Sequence, residues 1–126
     1  MTSKIAFDWL RSQPFIMTLL ALTAIDIVSG LIAAFITKKV SSSSSLKGMA
    51  KKAMMWLIVG VAASVDPLSS DIPETKMIAL FFCATEGISI IENAGNAGIP
   101  IPKILRDSLV KIRDEVEVAP AKEETK

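Results

Sequence analysis

The stretch PFIMTLLALTAIDIVSGLIAAFIT, residues 14–37, decides which kind of fold this chain can adopt. It carries a single charge, Asp26, in 24 residues. As an α-helix it would be about 36 Å long, enough to cross a hydrocarbon core of ~30 Å with some tilt. The competing interpretation is a cleaved signal peptide, whose apolar core would be about 7–15 residues long. Because this stretch is longer and has an acid at its centre, the sequence predicts a transmembrane helix.

The composition of the whole chain agrees with a membrane protein. Hydrophobic residues make up 51% of the 126 residues and the mean hydropathy is +0.48, whereas soluble domains contain about 45–50% apolar residues even when glycine is counted. The net charge of +1 results from charges of both signs that are concentrated in separate segments. No overall basic field indicates a nucleic-acid partner.

The chain has no histidine. It therefore lacks the commonest general base, the commonest metal ligand and the usual arrangements for nucleophilic catalysis. We predict that the protein is not an enzyme and uses no cofactor or metal. The one cysteine, Cys83, lies in an apolar run and is interpreted as a packed hydrophobic residue, with a functional thiol as the alternative.

Charge divides the rest of the chain into further segments. Residues 38–52 hold five lysines, no acid and the serine run 41–45, which predicts a flexible hydrophilic loop on the cytoplasmic side. Residues 53–70 form a second apolar block that is short for a crossing, so a thin or tilted transmembrane helix and a re-entrant segment both remain open. Residues 77–94 form the third apolar block, a third predicted transmembrane helix.

The two ends of the chain differ from these blocks. Residues 1–13 predict an interfacial segment with Trp9 at headgroup depth. Residues 102–118 repeat apolar side chains at helical spacing and predict an amphipathic helix, which either lies on the membrane surface or is solvated and packs against its neighbours. Residues 119–126 are polar and predict a disordered tail. The predicted fold is an all-α membrane protein with about three transmembrane helices and a C-terminal amphipathic helix.

Lysine and arginine residues beside the spans predict the orientation. With three crossings, nine basic residues lie on the side of the 38–52 loop and three on the opposite side. The N-terminus is therefore expected outside and the C-terminus inside. The nine residues expected at the inner membrane surface are Lys38, Lys39, Lys47, Lys51, Lys52, Lys103, Arg106, Lys111 and Arg113.

The acids inside the apolar blocks need a physical reason, because a charge at mid-bilayer costs about 2.5–3.5 kcal/mol on insertion scales. Small and polar residues accompany them at helical spacing, so each block presents one polar face. These faces either pack within one small membrane protein, line an oligomer or a pore, or serve a proton-coupled transporter through Asp26 or Glu86. The candidate oligomerisation or pore-lining residues are Asp26, Ser29, Gly30, Ala33, Gly60, Ser64, Glu86, Ser89, Glu92 and Asn93.

The segment EGISIIENAGNAGIPIPKIL, residues 86–105, resembles the C-terminal signature of the phage holin family that groups phage-lysis with toxin-release holins. The pattern is E-x-x-S-I-x-E-N, a glycine-containing loop and I-P-x-x-L. The segment DIVSGLIAA, residues 26–34, is similar to an element of the first helix in that family, and residues 42–52 are similar to its serine-rich linker. The resemblance covers roughly residues 14–113.

The resemblance implies a function that composition does not. Holins accumulate in the bacterial inner membrane and associate with copies of themselves into lesions that release endolysin or, in related proteins, a toxin, and so time lysis. The implied partners are a second copy of the chain, the lipid bilayer, an endolysin or toxin, and an antiholin. The alternatives are a small oligomeric ion channel or transporter, an antiholin that regulates another holin, and a structural membrane scaffold.

Overall fold

The computed structural model describes residues 3–5, 8, 12–68 and 74–124, with side chains at all of these except residues 74 and 117–124. Four long helices follow one another: α1 (Pro14–Thr37), α2 (Ser42–Val65), α3 (Glu74–Asn96) and α4 (Lys103–Glu124). A 3-10 turn, Asp66–Leu68, extends α2. These ranges contain no strand, and α1, α2 with its 3-10 turn, and α3 are each long and apolar enough to cross a membrane. The predicted fold class is confirmed.

The boundaries of α1 follow from local chemistry. Pro14 occupies the first turn, where its missing N–H costs nothing. The helix ends at Lys38, which adopts a left-handed conformation with φ of 58°. The backbone N–H of Lys39 then donates to the carbonyl of Ala34 at 3.1 Å. This tight C-terminal turn reverses the chain direction within a few residues.

The second helix begins earlier than the sequence predicted. Ser41 is its N-cap, and its hydroxyl accepts the N–H of Ser44 at 3.4 Å. The expectation of a flexible loop over residues 38–52 is therefore wrong from Ser42 onward, and only the turn at 38–41 remains. The physical reason is that the serine run supplies a cap, and the residues after it are mostly good helix formers. At 24 residues, α2 is about 36 Å long, so it does not need to be re-entrant to be accommodated.

Helices α1, α2 and α3 form an up-down-up bundle. Helix α3 is central, because it contacts α1, α2 and α4. At the end of the bundle that contains the start of α1, an apolar core joins the three helices. Its buried members are Ile16, Leu19, Met55, Val59, Ala79 and Cys83. The buried, unpaired Cys83 agrees with its interpretation as a packed hydrophobic residue.

Apolar side chains also cover the outside of the bundle. Exposed residues of this kind on α1 and α2 include Leu20, Val28, Phe35, Leu57 and Val61. A soluble protein rarely exposes so continuous an apolar surface. These outer faces suit contact with lipid.

The fourth helix folds back along α3. Gly98, at φ of +89°, permits the sharp turn between the two helices. A Cβ placed on Gly87 of α3 would lie 3.1 Å from a methyl group of Leu109, so the absence of a side chain at Gly87 permits this close approach. The predicted amphipathic segment is thus a helix that packs against α3.

The backbone of α4 is helical to Glu124, beyond the predicted limit at residue 118. The sequence predicted a disordered tail from residue 119 onward, and the structure gives helical backbone for residues 119–124. Alanine, lysine and glutamate, which make up most of this segment, are strong helix formers, whereas Pro120 removes one backbone donor. The interfacial segment predicted at 1–13 lies largely outside the described residues, and so does Trp9.

Candidate functional site: a buried ion triad

One charged residue from each of the first three helices contributes to a single buried cluster. Lys52 of α2 forms ion pairs with Asp26 of α1 and with Glu86 of α3. The Lys52 Nζ atom lies 2.7 Å from Oε2 of Glu86 and contacts Oδ2 of Asp26. Both carboxylate side chains are 7% exposed and the lysine side chain is 16% exposed. We call Asp26, Lys52 and Glu86 the ion triad.

Helical periodicity explains why Lys52 points inward. The buried residues of α2 are Met55, Val59 and Ala62, and Lys52 precedes them at the same three-to-four-residue spacing. Lys51, one position earlier, is exposed. The sequence prediction placed Lys52 at the membrane surface, whereas the structure places it between the helices. The position of Lys52 in register with the apolar face was the signal that could have identified it.

Asn93 of α3 extends the cluster toward the end of α1. Its side-chain Nδ2 donates to Oδ1 of Asp26 at 2.9 Å and to Oγ of Ser29 at 3.0 Å, and lies 3.3 Å from the backbone carbonyl of Asp26. A Cβ on Gly30 would be 3.5 Å from the same nitrogen. The polar faces predicted for α1 and α3 therefore meet each other within one chain.

The ion triad contains two carboxylates and one ammonium group, so its formal charge is −1 when all three groups are ionised. Burying charges between helices is expensive, and breaking such an arrangement by removing one partner costs about 3–5 kcal/mol. Ionisable groups within membrane-spanning helices are rare and mark functional sites by default. The ion triad is therefore the candidate functional site of this protein.

The remaining predicted site residues lie in different environments. Ala33 is buried in α1 and Ser89 is half-buried in α3. Gly60 and Ser64 of α2 are exposed, and the Ser64 hydroxyl donates to the backbone carbonyl of Gly60 at 2.8 Å. Glu92 is also exposed and lines a surface pocket of about 410 Å³ together with Lys103 and Arg106. Gly60, Ser64 and Glu92 form no hydrogen bond or ion pair with the ion triad.

Most of the predicted surface lysines and arginines are exposed. Lys38, Lys39 and Lys47 lie at the turn between α1 and α2 and in the first turns of α2, and Lys103 and Arg106 lie in the first turn of α4. Arg113 is half-buried, and its Nε donates to Oδ1 of Asp114 at 3.1 Å. The exposed members of the predicted set are Lys38, Lys39, Lys47, Lys51, Lys103, Arg106 and Lys111.

Among the described residues, no group of three or more cysteine, aspartate or glutamate side chains is placed to hold a metal ion.

Comparison with known proteins places these features in a family. The sequence model described as the Bacteriophage holin family matches residues 5–114. A protein of Bacillus phage phi105 named as a probable holin is 35% identical over 99 residues, which cover 77% of this chain and 73% of that protein. An uncharacterised protein of Clostridium perfringens strain 13 is 33% identical over 102 residues, 79% of this chain and 76% of its own. An uncharacterised protein of Bacillus subtilis strain 168 is 36% identical over 100 residues, 79% and 71% of the two chains. No solved structure matches the chain.

Proposed function

The chain belongs to the bacteriophage holin family, and on this premise we propose that it oligomerises in the bacterial inner membrane into lesions that time host lysis. Proteins of this family are pore-forming membrane proteins and are not enzymes. The lesions let an endolysin, or a toxin in the manner of the toxin-release relatives, leave the cytoplasm. An antiholin is a further expected partner.

The observation that carries the proposal is the ion triad between three helices whose outer faces are apolar. In one copy, the polar faces of α1 and α3 are hidden against each other and against Lys52. In an assembled lesion, the same faces line the water-filled lumen while the apolar faces stay in contact with lipid. The ion triad is then the closed arrangement of the groups that later face water.

A second feature supports self-association. Gly60 and Ser64 lie four residues apart on an exposed surface of α2, and a Cβ on Gly60 would meet no atom within 4 Å. Small residues at this spacing let helix backbones approach closely in membranes. We assign this pair to the contact between copies.

The basic residues support the expected orientation. The exposed lysines of the α1–α2 turn and of α2 share one end of the bundle with Lys103 and Arg106. That end is proposed to face the cytoplasm, with the N-terminus outside. There the basic side chains meet anionic lipid headgroups, each contributing about 1 kcal/mol near the surface.

The alternatives are a small channel or transporter that conducts ions alone and an antiholin. The buried ion triad favours the channel among them, because ionisable groups at mid-membrane depth are typical of ion pathways. The two functions differ in the size of the particle that crosses.

Inducible expression in a bacterium tests the proposal. The cells contain a cytoplasmic fluorescent protein and an endolysin without its own export signal, and turbidity, membrane potential and reporter release are followed together. A holin gives abrupt, delayed lysis with escape of the reporter. Early depolarisation with the reporter retained would identify an ion channel instead, and an effect only on the timing of a co-expressed second holin would identify an antiholin.

A further inference from the structure

A crevice between α1 and α2 leads from the turn at residues 38–41 to the ion triad. Its volume is about 530 Å³. Ser41 and Ser44 line it at the turn, Gly48 lies further along α2, and Asp26 and Lys52 lie at its inner end. The crevice therefore connects the loop end of the bundle with its most buried charges.

The crevice exists because the facing residues are too small to fill it. Gly30 and Ala34 of α1 face a stretch of α2 that contains Ser45 and Gly48. Ser89 and Asn93 of α3 add polar groups to the wall. The space has room for more than about ten water molecules, which need polar partners of this kind to remain ordered.

The opposite side of the ion triad is closed. The apolar core of Ile16, Leu19, Met55, Val59, Ala79 and Cys83 fills the space between the three helices beyond the triad. The bundle is thus open to solvent at the loop end and packed at the other. The side chains of Leu31 and Met49, both exposed, also line the crevice, so its polar route to the ion triad begins at the loop end.

We propose that this crevice is a water-filled vestibule that brings water from the loop-side solution to the ion triad within a single copy of the chain. Its lining includes the charged groups of Asp26, Lys39 and Lys52, which favour hydration because an unsolvated charge in a dry interior is costly. The vestibule does not depend on lesion formation. It is present before any assembly and differs from a lumen, which would be open on both sides.

Cysteine accessibility tests the vestibule in membrane vesicles. In a Cys83→Ala background, Ala34→Cys places a thiol in the crevice and Phe35→Cys places one at the same depth on the outer face, where Phe35 is 80% exposed. Ser43→Cys lies in the exposed first turn of α2 and reports which side of the vesicle carries the loop end, so the orientation need not be assumed. A membrane-impermeant cationic thiosulfonate is added to either side.

The expected result is that Ala34→Cys reacts at least about tenfold faster than Phe35→Cys, and only from the side that labels Ser43→Cys. Gly48→Cys provides a second crevice position if Ala34→Cys fails to insert. The proposal is overturned if both crevice positions react only with a lipid-soluble reagent, since an acyl chain or a helix of a second copy would then fill the space. Labelling from both sides would also overturn it.

Discussion

Replacement of Lys52 by methionine is the perturbation that most directly probes the ion triad. The variant keeps an unbranched side chain of four of the five heavy atoms but removes the ammonium group that contacts both carboxylates, each of which is 7% exposed. Two buried acids then have no counter-charge, and their mutual repulsion adds to the cost of desolvation. Removal of one member of a buried ion pair costs about 3–5 kcal/mol, and uptake of a proton by one acid returns part of that cost. We therefore expect the free energy of unfolding in mixed micelles to fall by about 2–4 kcal/mol.

Lys51→Met is the matched control, because Lys51 is the preceding residue, carries the same charge and is exposed. It should change the free energy of unfolding by less than about 0.5 kcal/mol. Lys52→Arg retains the charge and should recover part of the stability. In a double-mutant cycle, Asp26→Asn together with Lys52→Met should show a coupling free energy above about 1 kcal/mol.

The same variant has an expected effect on lysis. If the ion triad holds the polar faces closed within one copy, Lys52→Met should lyse cells earlier than the wild type at equal abundance in the membrane. Lys51→Met should keep the wild-type lysis time. Equal stability of the two methionine variants, or an unchanged lysis time for Lys52→Met, would refute the assignment of the ion triad as the closed state.

The remaining predictions concern the carboxylates, α4 and the contact between copies. Leucine at both Asp26 and Glu86 should shift the lysis time in the turbidity assay without abolishing membrane insertion, and normal timing would contradict their role. Gly87→Val should push α4 away from α3 and speed the proteolysis of α4 at least severalfold. The same change combined with Leu109→Ala should restore protection. Equal protection of α4 in Gly87→Val and in the wild type would contradict the packing. Gly60→Leu should lower chemical cross-linking between copies while the monomer still inserts, and undiminished cross-linking would exclude this surface as the contact.

Much of the fold could be predicted from the sequence, because the strongest physical signals are local. Both ends of the first helix were predicted, at residues 14 and 37, because a long apolar run that starts with proline and is followed by two lysines leaves few other helix boundaries. The third helix, Glu74–Asn96, contains the predicted segment 77–94. Helix α2 was predicted too short, because its first turns are made of serine and lysine, which read as a loop when hydropathy alone is considered. The N-cap at Ser41 outweighs that pattern.

The candidate site was predicted only in part, for a different reason. The spacing of small and polar residues around Asp26 and Glu86 indicated one polar face on each helix, and Asn93 of the predicted set contacts Asp26 within one chain. The role of these residues in oligomerisation or pore lining stays a prediction. Lys52 was not, because the sequence prediction assigned every lysine of the segment to the surface. Which charge pairs with which depends on how the helices are rotated against each other, and that is decided by tertiary packing. The apolar residues that follow Lys52 fix this rotation.

The position of the ion triad has a consequence for the proposed lesion. Because its three members belong to three helices, no one helix can turn its polar face toward water without breaking at least one ion pair. A single copy that does so leaves at least one charge between the helices without its partner, at a cost of about 3–5 kcal/mol, so the open arrangement is populated at less than about 1%. Neighbouring copies remove that cost when enough of them open together to enclose a lumen, because water in the lumen then solvates each separated charge. The ion triad therefore favours an abrupt, collective transition over gradual leakage, as the proposed timing of lysis requires.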